Sequence, residues 1–109
     1  WSSKRVTILG DAAHATLPYL AQGAAMVVED GAILSRALEQ SHDIADALQL
    51  YQRNRTDRTA RVVNTSDANR KRFHLDSVEQ IRKSFTNRDE GADRNGWLYS
   101  YNPLTVELK

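Results

Sequence analysis

One short run constrains this chain more than any other feature. Val6-Thr7-Ile8-Leu9 is apolar, rich in β-branched residues and closed by Gly10-Asp11, and no second convincing strand follows it. The pattern is that of a buried strand entering a turn. A lone strand leaves backbone donors and acceptors unpaired along both edges, and a sheet needs roughly three strands to stand alone. The expectation is that its partners lie upstream of Trp1, and that these 109 residues, which open on Trp rather than Met, are a piece of something longer.

The rest of the chain is patterned for helices. After a loop punctuated by Pro18 and Gly23, a helical period runs from about Ala24 to Gln40. Met26, Ile33 and Ala37 share one stripe and Val27, Leu34 and Leu38 the neighbouring one, with Glu29, Arg36 and Glu39 mostly off this wide apolar face. Ser41-His42-Asp43 breaks the pattern, and Asp43 is suited to cap a second helix whose Ile44, Ala47, Leu48 and Tyr51 share a side. From Arg53 to Arg72 seven basic residues face Asp57 and Asp67, with Val62 and Val63 as apolar anchors. This reads as a long, mostly exposed continuation of the second helix, its cations solvated or paired with an absent domain. A further short helix is expected over Ser77 to Phe85, then a polar loop from Asn87 to Gly96, then Trp97, Tyr99 and Tyr101 as core or interface packing.

Composition matters mainly for what it removes. With no cysteine there are no disulfides, thiolate metal sites or thiol nucleophiles, and His14, His42 and His74 are too few and too scattered to suggest a metal. A net charge of +1, and a basic run without stacking aromatics, argue against nucleic acid. No stretch approaches the roughly 20 apolar residues of a membrane span, and the start lacks the layout of a signal peptide, so a cytoplasmic protein is expected.

Chemistry concentrates in Gly10 to Leu34. A strand delivers a Gly-Asp turn, an Ala-rich loop follows, and Gln22-Gly23-Ala24-Ala25 leads straight into a helix N-terminus. Small side chains there let a flat ligand approach backbone N–H groups. The first turn of a helix leaves those groups unpaired and carries about half a positive charge, which suits an anion or a polarised carbonyl. Asp11, an acceptor-only carboxylate, suits the hydroxyls of a sugar alcohol. His14 reads as structural rather than as a general base, because no partner carboxylate is placed for it by sequence. Glu29-Asp30, near the helix start, are expected to serve its dipole or to touch an absent domain.

Gly10-Asp11-Ala12-Ala13-His14, Pro18, Gln22-Gly23 and Glu29-Asp30 together resemble the second flavin-contacting motif of the class A flavoprotein aromatic hydroxylases, the salicylate-hydroxylase-like group. Ala47-Leu48 with Tyr51, Arg55 and Arg58 resembles that family's following helix, and Trp97-Leu98-Tyr99 with Tyr101-Asn102 its C-terminal aromatic signature. The resemblance implies an α/β, Rossmann-like FAD-binding fold, of which this chain would be a mostly helical fragment with one strand near its N-terminus. Residues 1–40 would close the FAD-binding domain and residues 41–109 form a C-terminal helical region. It implies that Gly10, Asp11, Gln22, Gly23, Ala24 and Ala25 contact FAD, Asp11 through the ribityl chain, and that Pro18 edges the pocket where flavin and aromatic substrate meet. The chemistry implied is hydroxylation of a small salicylate- or benzoate-like ring with NAD(P)H and O₂.

The sequence departs from the family pattern in carrying Ala15-Thr16 where Pro often follows the His, and Ala21 where Gly often precedes Gln-Gly. Ala24-Ala25 replace a frequent Asn, and Asn102 replaces the final Asp of the aromatic signature. The phosphate-cradling Gly-x-Gly-x-x-Gly turn is absent, so the chain alone is expected to bind little FAD and to be inactive. Two alternatives stay open: a flavin-dependent epoxidase or non-aromatic hydroxylase of the same fold, and a non-catalytic helical interaction module.

Overall fold

The computed structural model describes residues 1–86 and 95–109. It is mainly helical, and two antiparallel helices organise it. The first three elements are β1 (Ser2–Ser3), β2 (Val6–Thr7) and the short α1 (Asp11–His14). A 3₁₀ turn over Pro18–Leu20 leads into α2 (Gly23–Gln40), which is followed by α3 (Ile44–Phe73), α4 (Val78–Thr86) and α5 (Gly96–Tyr99). The loop expected after Asn87 falls, as far as position 94, outside the described residues.

The strand is not alone. Ser2 pairs with Thr7 and Ser3 with Val6 in an antiparallel hairpin, and Ser2 N–H also donates to Gln52 Oε1 (2.7 Å) on α3. The sequence hid this partner because the tight turn at Lys4-Arg5 lacks the Gly or Asn that usually marks one; Lys4 itself takes the positive φ of 50°. Among the described residues nothing covers Val6, Ile8 and Leu9, which are 66%, 40% and 37% exposed. Gly10-Asp11 is likewise not a plain turn into a loop. Gly10, at φ 61°, initiates α1, and its carbonyl accepts from Ala13 and His14 N–H (both 2.9 Å).

α2 and α3 form a helical hairpin across three connecting residues. Asp43 caps α3 as its side-chain type predicts, Oδ1 accepting from Ala45 N–H (2.8 Å) and Asp46 N–H (3.3 Å). α3 is one continuous helix of 30 residues, about 45 Å long at the α-helical rise. The antiparallel register puts two apolar clusters at opposite ends of the contact. Met26 meets Val62 and Leu98, with Leu20 and Trp97 against them, while Ile33 and Ala37 meet Tyr51, flanked by Trp1, Leu34, Val106 and Leu108. Full burial of each large side chain contributes roughly 1.5–3 kcal/mol. The second apolar stripe of α2 is less used here: Val27 and Leu38 remain exposed.

The C-terminal segment straps across both helices. Arg36 donates to the carbonyls of Pro103 and Val106 (both 2.7 Å). Arg58 lies 3.8 Å over the Tyr101 ring and Arg61 3.9 Å over Trp97. Trp97 and Tyr101 pack within the chain, whereas Tyr99, one residue beyond buried Leu98, is 73% exposed among the described residues. Among the described residues no helix is long and apolar enough to cross a membrane, and no cluster of His, Asp and Glu could hold a metal ion.

Candidate functional site

Between the two apolar clusters lies a buried charge network, where the structure corrects the sequence reading most. Glu29 and Asp30 face α3 within the chain, where both pair with arginines. Asp30, with no exposed surface, accepts from Arg55 Nε through Oδ1 (2.6 Å). Through Oδ2 it accepts from Gly10 N–H (2.8 Å) and lies 2.6 Å from His14 Nε2. A carboxylate offers acceptors alone, so Nε2 carries the proton it shares with Asp30. His14 is hydrogen-bonded near the loop as expected, but it does have a carboxylate partner, Asp30, which sequence could not place. The His14 Nδ1 is buried and has no partner among the described residues.

Arg55 is fully buried, and its guanidinium is satisfied all round. Besides Asp30 it meets Glu29 Oε2 (2.8 Å) and Met26 O (3.3 Å). Arg58 grips Glu29 with two bonds, of 2.8 and 2.7 Å. Burial alone would raise the Glu29 carboxyl, but the hydrogen bonds and charges of Arg58 and Arg55 outweigh it and hold it below the ordinary value. Burial likewise opposes the Arg55 cation, and its two carboxylates override it and raise its pKa. The Tyr51 phenol is pushed up to about 12 by burial and by the Asp30 carboxylate. Two cations expected to be solvated or to pair elsewhere are therefore committed to α2. A buried, paired network of this kind fixes geometry more than it adds stability.

What it fixes is the Gly10 backbone, and with it the direction in which α1 presents Asp11. Asp11, Pro18, Gly23 and Ala24 line one open cleft of about 500 Å³, completed by Thr16, Ala21 and Val27. Of the residues singled out from sequence, the structure thus brings four together. Gly10 stands behind, buried under Val27. Gln22 and Ala25 do not line the cleft: Gln22 is the cap residue of α2, its carbonyl accepting from Met26 N–H (2.9 Å), and Ala25 lies exposed on the first turn. The N–H groups of Gly23, Ala24 and Ala25 precede that first intrahelical bond, and no side chain caps them. Asp11 is exposed at the cleft and bonds to none of the described residues.

The donor set fits a flavin in kind: free helix N-terminal N–H groups for an electron-rich ring edge, small side chains for its face and an unpaired acceptor for hydroxyls. Gly23 is informative here. A methyl group at this position would meet only Thr16 Cγ2, at an ordinary 3.9 Å, so the described chain itself does not require glycine.

The family described as FAD binding domain matches residues 1–66, more than half of the chain. This chain belongs to the FAD binding domain family, whose cofactor is FAD. It is 42% identical over 107 residues to a 3-hydroxybenzoate 6-hydroxylase of Polaromonas naphthalenivorans, covering 94% of this chain and 27% of that protein. It is 41% identical over 107 residues to 3-hydroxybenzoate 6-hydroxylase 2 of Aquipseudomonas alcaligenes, covering 94% and 33%. A 6-hydroxynicotinate 3-monooxygenase of Bordetella bronchiseptica is 48% identical over 71 residues, covering 63% and 18%. The matched part of the chain thus spans 18% to 33% of the length of these curated relatives. The match to the FAD binding domain ends at Ser66, well inside α3, so the part of that helix that supplies Arg55 and Arg58 lies within it.

Proposed function

We propose that the protein containing this chain is an FAD-dependent monooxygenase that hydroxylates a small hydroxylated aromatic acid, using NAD(P)H and O₂. Residues 1–40 carry the segment that meets the cofactor, and residues 41–109 form the helical buttress that holds it. Asp11 binds the ribityl hydroxyls, with Gly10 setting its direction. The N–H groups of Gly23 and Ala24, introduced by Gln22, face the electron-rich edge of the ring system, and with the N–H of Ala25 behind them favour negative charge there through the α2 dipole. Pro18 shapes the wall where cofactor and substrate meet. FAD, when bound, supplies the redox and oxygen-transfer chemistry. The chain alone, lacking a phosphate-cradling turn, binds FAD negligibly and is inactive.

The observation that carries this reading is the cleft, where an unpartnered carboxylate faces a helix N-terminus with no side-chain cap. The 3-hydroxybenzoate and 6-hydroxynicotinate relatives support the substrate class. The test is to purify the full-length protein and two variants, Asp11→Ala and Gly23→Ala. The wild type should be yellow and should oxidise NAD(P)H faster with 3-hydroxybenzoate or 6-hydroxynicotinate. Both variants should fold, yet retain less flavin. A colourless wild type, or full flavin occupancy in Gly23→Ala and Asp11→Ala alike, would remove the basis for the proposal.

A further inference from the structure

The cleft wall bearing Pro18 is held from behind by the C-terminal half of α3, through contacts that separate the loop residues by direction. Ser66, fully buried on α3, donates its hydroxyl to Leu17 O (2.6 Å), the carbonyl immediately before Pro18. The Tyr19 ring stacks on Phe73 (centroids 5.8 Å apart, planes at 24°), and its hydroxyl shares a hydrogen bond with His74 Nε2 (2.9 Å). Leu20 packs into the cluster of Met26, Val62 and Leu98. Residues 17, 19 and 20 are thus tied to α3 or its core, while Pro18 and Ala21 line the cleft.

We propose that Ser66 and Tyr19 are positioning residues, which set the distance of the Pro18 wall from the α2 N-terminus and so tune how an aromatic substrate sits against the cofactor. The inference rests on the flavin reading of the cleft. Neither side chain lines the cleft, so neither acts on substrate directly. The physical reason is the loop's own weakness. Its 3₁₀ turn has one backbone bond, Ala21 N–H to Pro18 O (3.0 Å), and Ala21 holds a positive φ of 52°. Such a turn keeps one geometry only when its surroundings over-determine it. Ser66 and Phe73 supply that from 49 and 54 residues downstream of the positions they hold.

The experiment uses the full-length protein with Ser66→Ala, Tyr19→Ala and Tyr19→Phe, the last keeping the ring stack while removing the hydroxyl. Amide hydrogen exchange reads the pinning without reference to cofactor or turnover. Exchange at residues 19 to 21 should quicken by about fivefold in Ser66→Ala, the equivalent of one hydrogen bond, and by more in Tyr19→Ala. In the flavin-loaded enzyme the same two variants should raise KM for the aromatic substrate and the oxygen consumed per product formed, with flavin content unchanged. Tyr19→Phe should lie between wild type and Tyr19→Ala. Unchanged exchange at residues 19 to 21 overturns the pinning. Faster exchange with unchanged KM and coupling overturns the positioning role and leaves the flavin reading standing, whereas a wild type without flavin overturns both.

Discussion

Replacing Asp30 with Asn removes one charge from the centre of the α2–α3 contact and changes almost no volume. The carboxylate has no exposed surface and receives Gly10 N–H, His14 Nε2 and Arg55 Nε within 2.8 Å. An amide nitrogen in the Oδ2 position faces the Gly10 donor with another donor; in the Oδ1 position it faces the Arg55 guanidinium. Either way a buried N–H group is orphaned, and Arg55 keeps Glu29 as its one counter-charge. Removing one partner of a buried ion pair costs about 3–5 kcal/mol. Against a typical total stability of about 5–15 kcal/mol, that lowers the denaturant midpoint substantially. The assay is chemical denaturation of the full-length protein, with Asp30→Asn, Arg55→Met and the double variant forming a cycle. The singles should each be strongly destabilised and the double by about 2 kcal/mol less than their sum. Flavin content should fall in Asp30→Asn even where the protein remains folded, because Gly10 is no longer held. A cost below about 1 kcal/mol for Asp30→Asn, or strict additivity, would refute the claim that this carboxylate organises the site.

Three further outcomes are expected. The Glu29 carboxyl titrates lower in the folded than in the unfolded chain. Its contribution is therefore complete above the ordinary value of 4.5 and is lost as pH falls through the folded pKa, so Glu29→Gln should flatten the acid limb of a stability-against-pH curve. Ala21→Gly should raise stability by about 0.5–1 kcal/mol, since alanine is strained at positive φ and glycine is not, and a thermal melt reads this. Gly10→Ala combines a positive φ with a new methyl 3.1 Å from Val27 Cγ2. It should cost about 1–3 kcal/mol and deplete flavin, seen as a lower ratio of visible to ultraviolet absorbance.

Sequence alone determined what short-range physics controls. The spacing of Met26, Ile33 and Ala37 named the buried stripe of α2, and Asp43 named the start of α3, because periodicity and capping act within a few residues. The spacing from Gly10-Asp11 through Pro18 to Gln22-Gly23 marked the cleft-forming segment, since backbone turns and helix starts are written locally. The β1 partner escaped notice because Lys4, not glycine, takes the positive φ of its turn. The charge network was settled only by tertiary structure. Asp30 and Arg55 are 25 residues apart and meet because the antiparallel register of α2 and α3 brings them together, while His14, 16 residues before Asp30, reaches it from α1. A carboxylate reads as a surface residue until its cation is located. Burial of a charge is decided by its partner, and the partner is chosen by packing rather than by sequence distance.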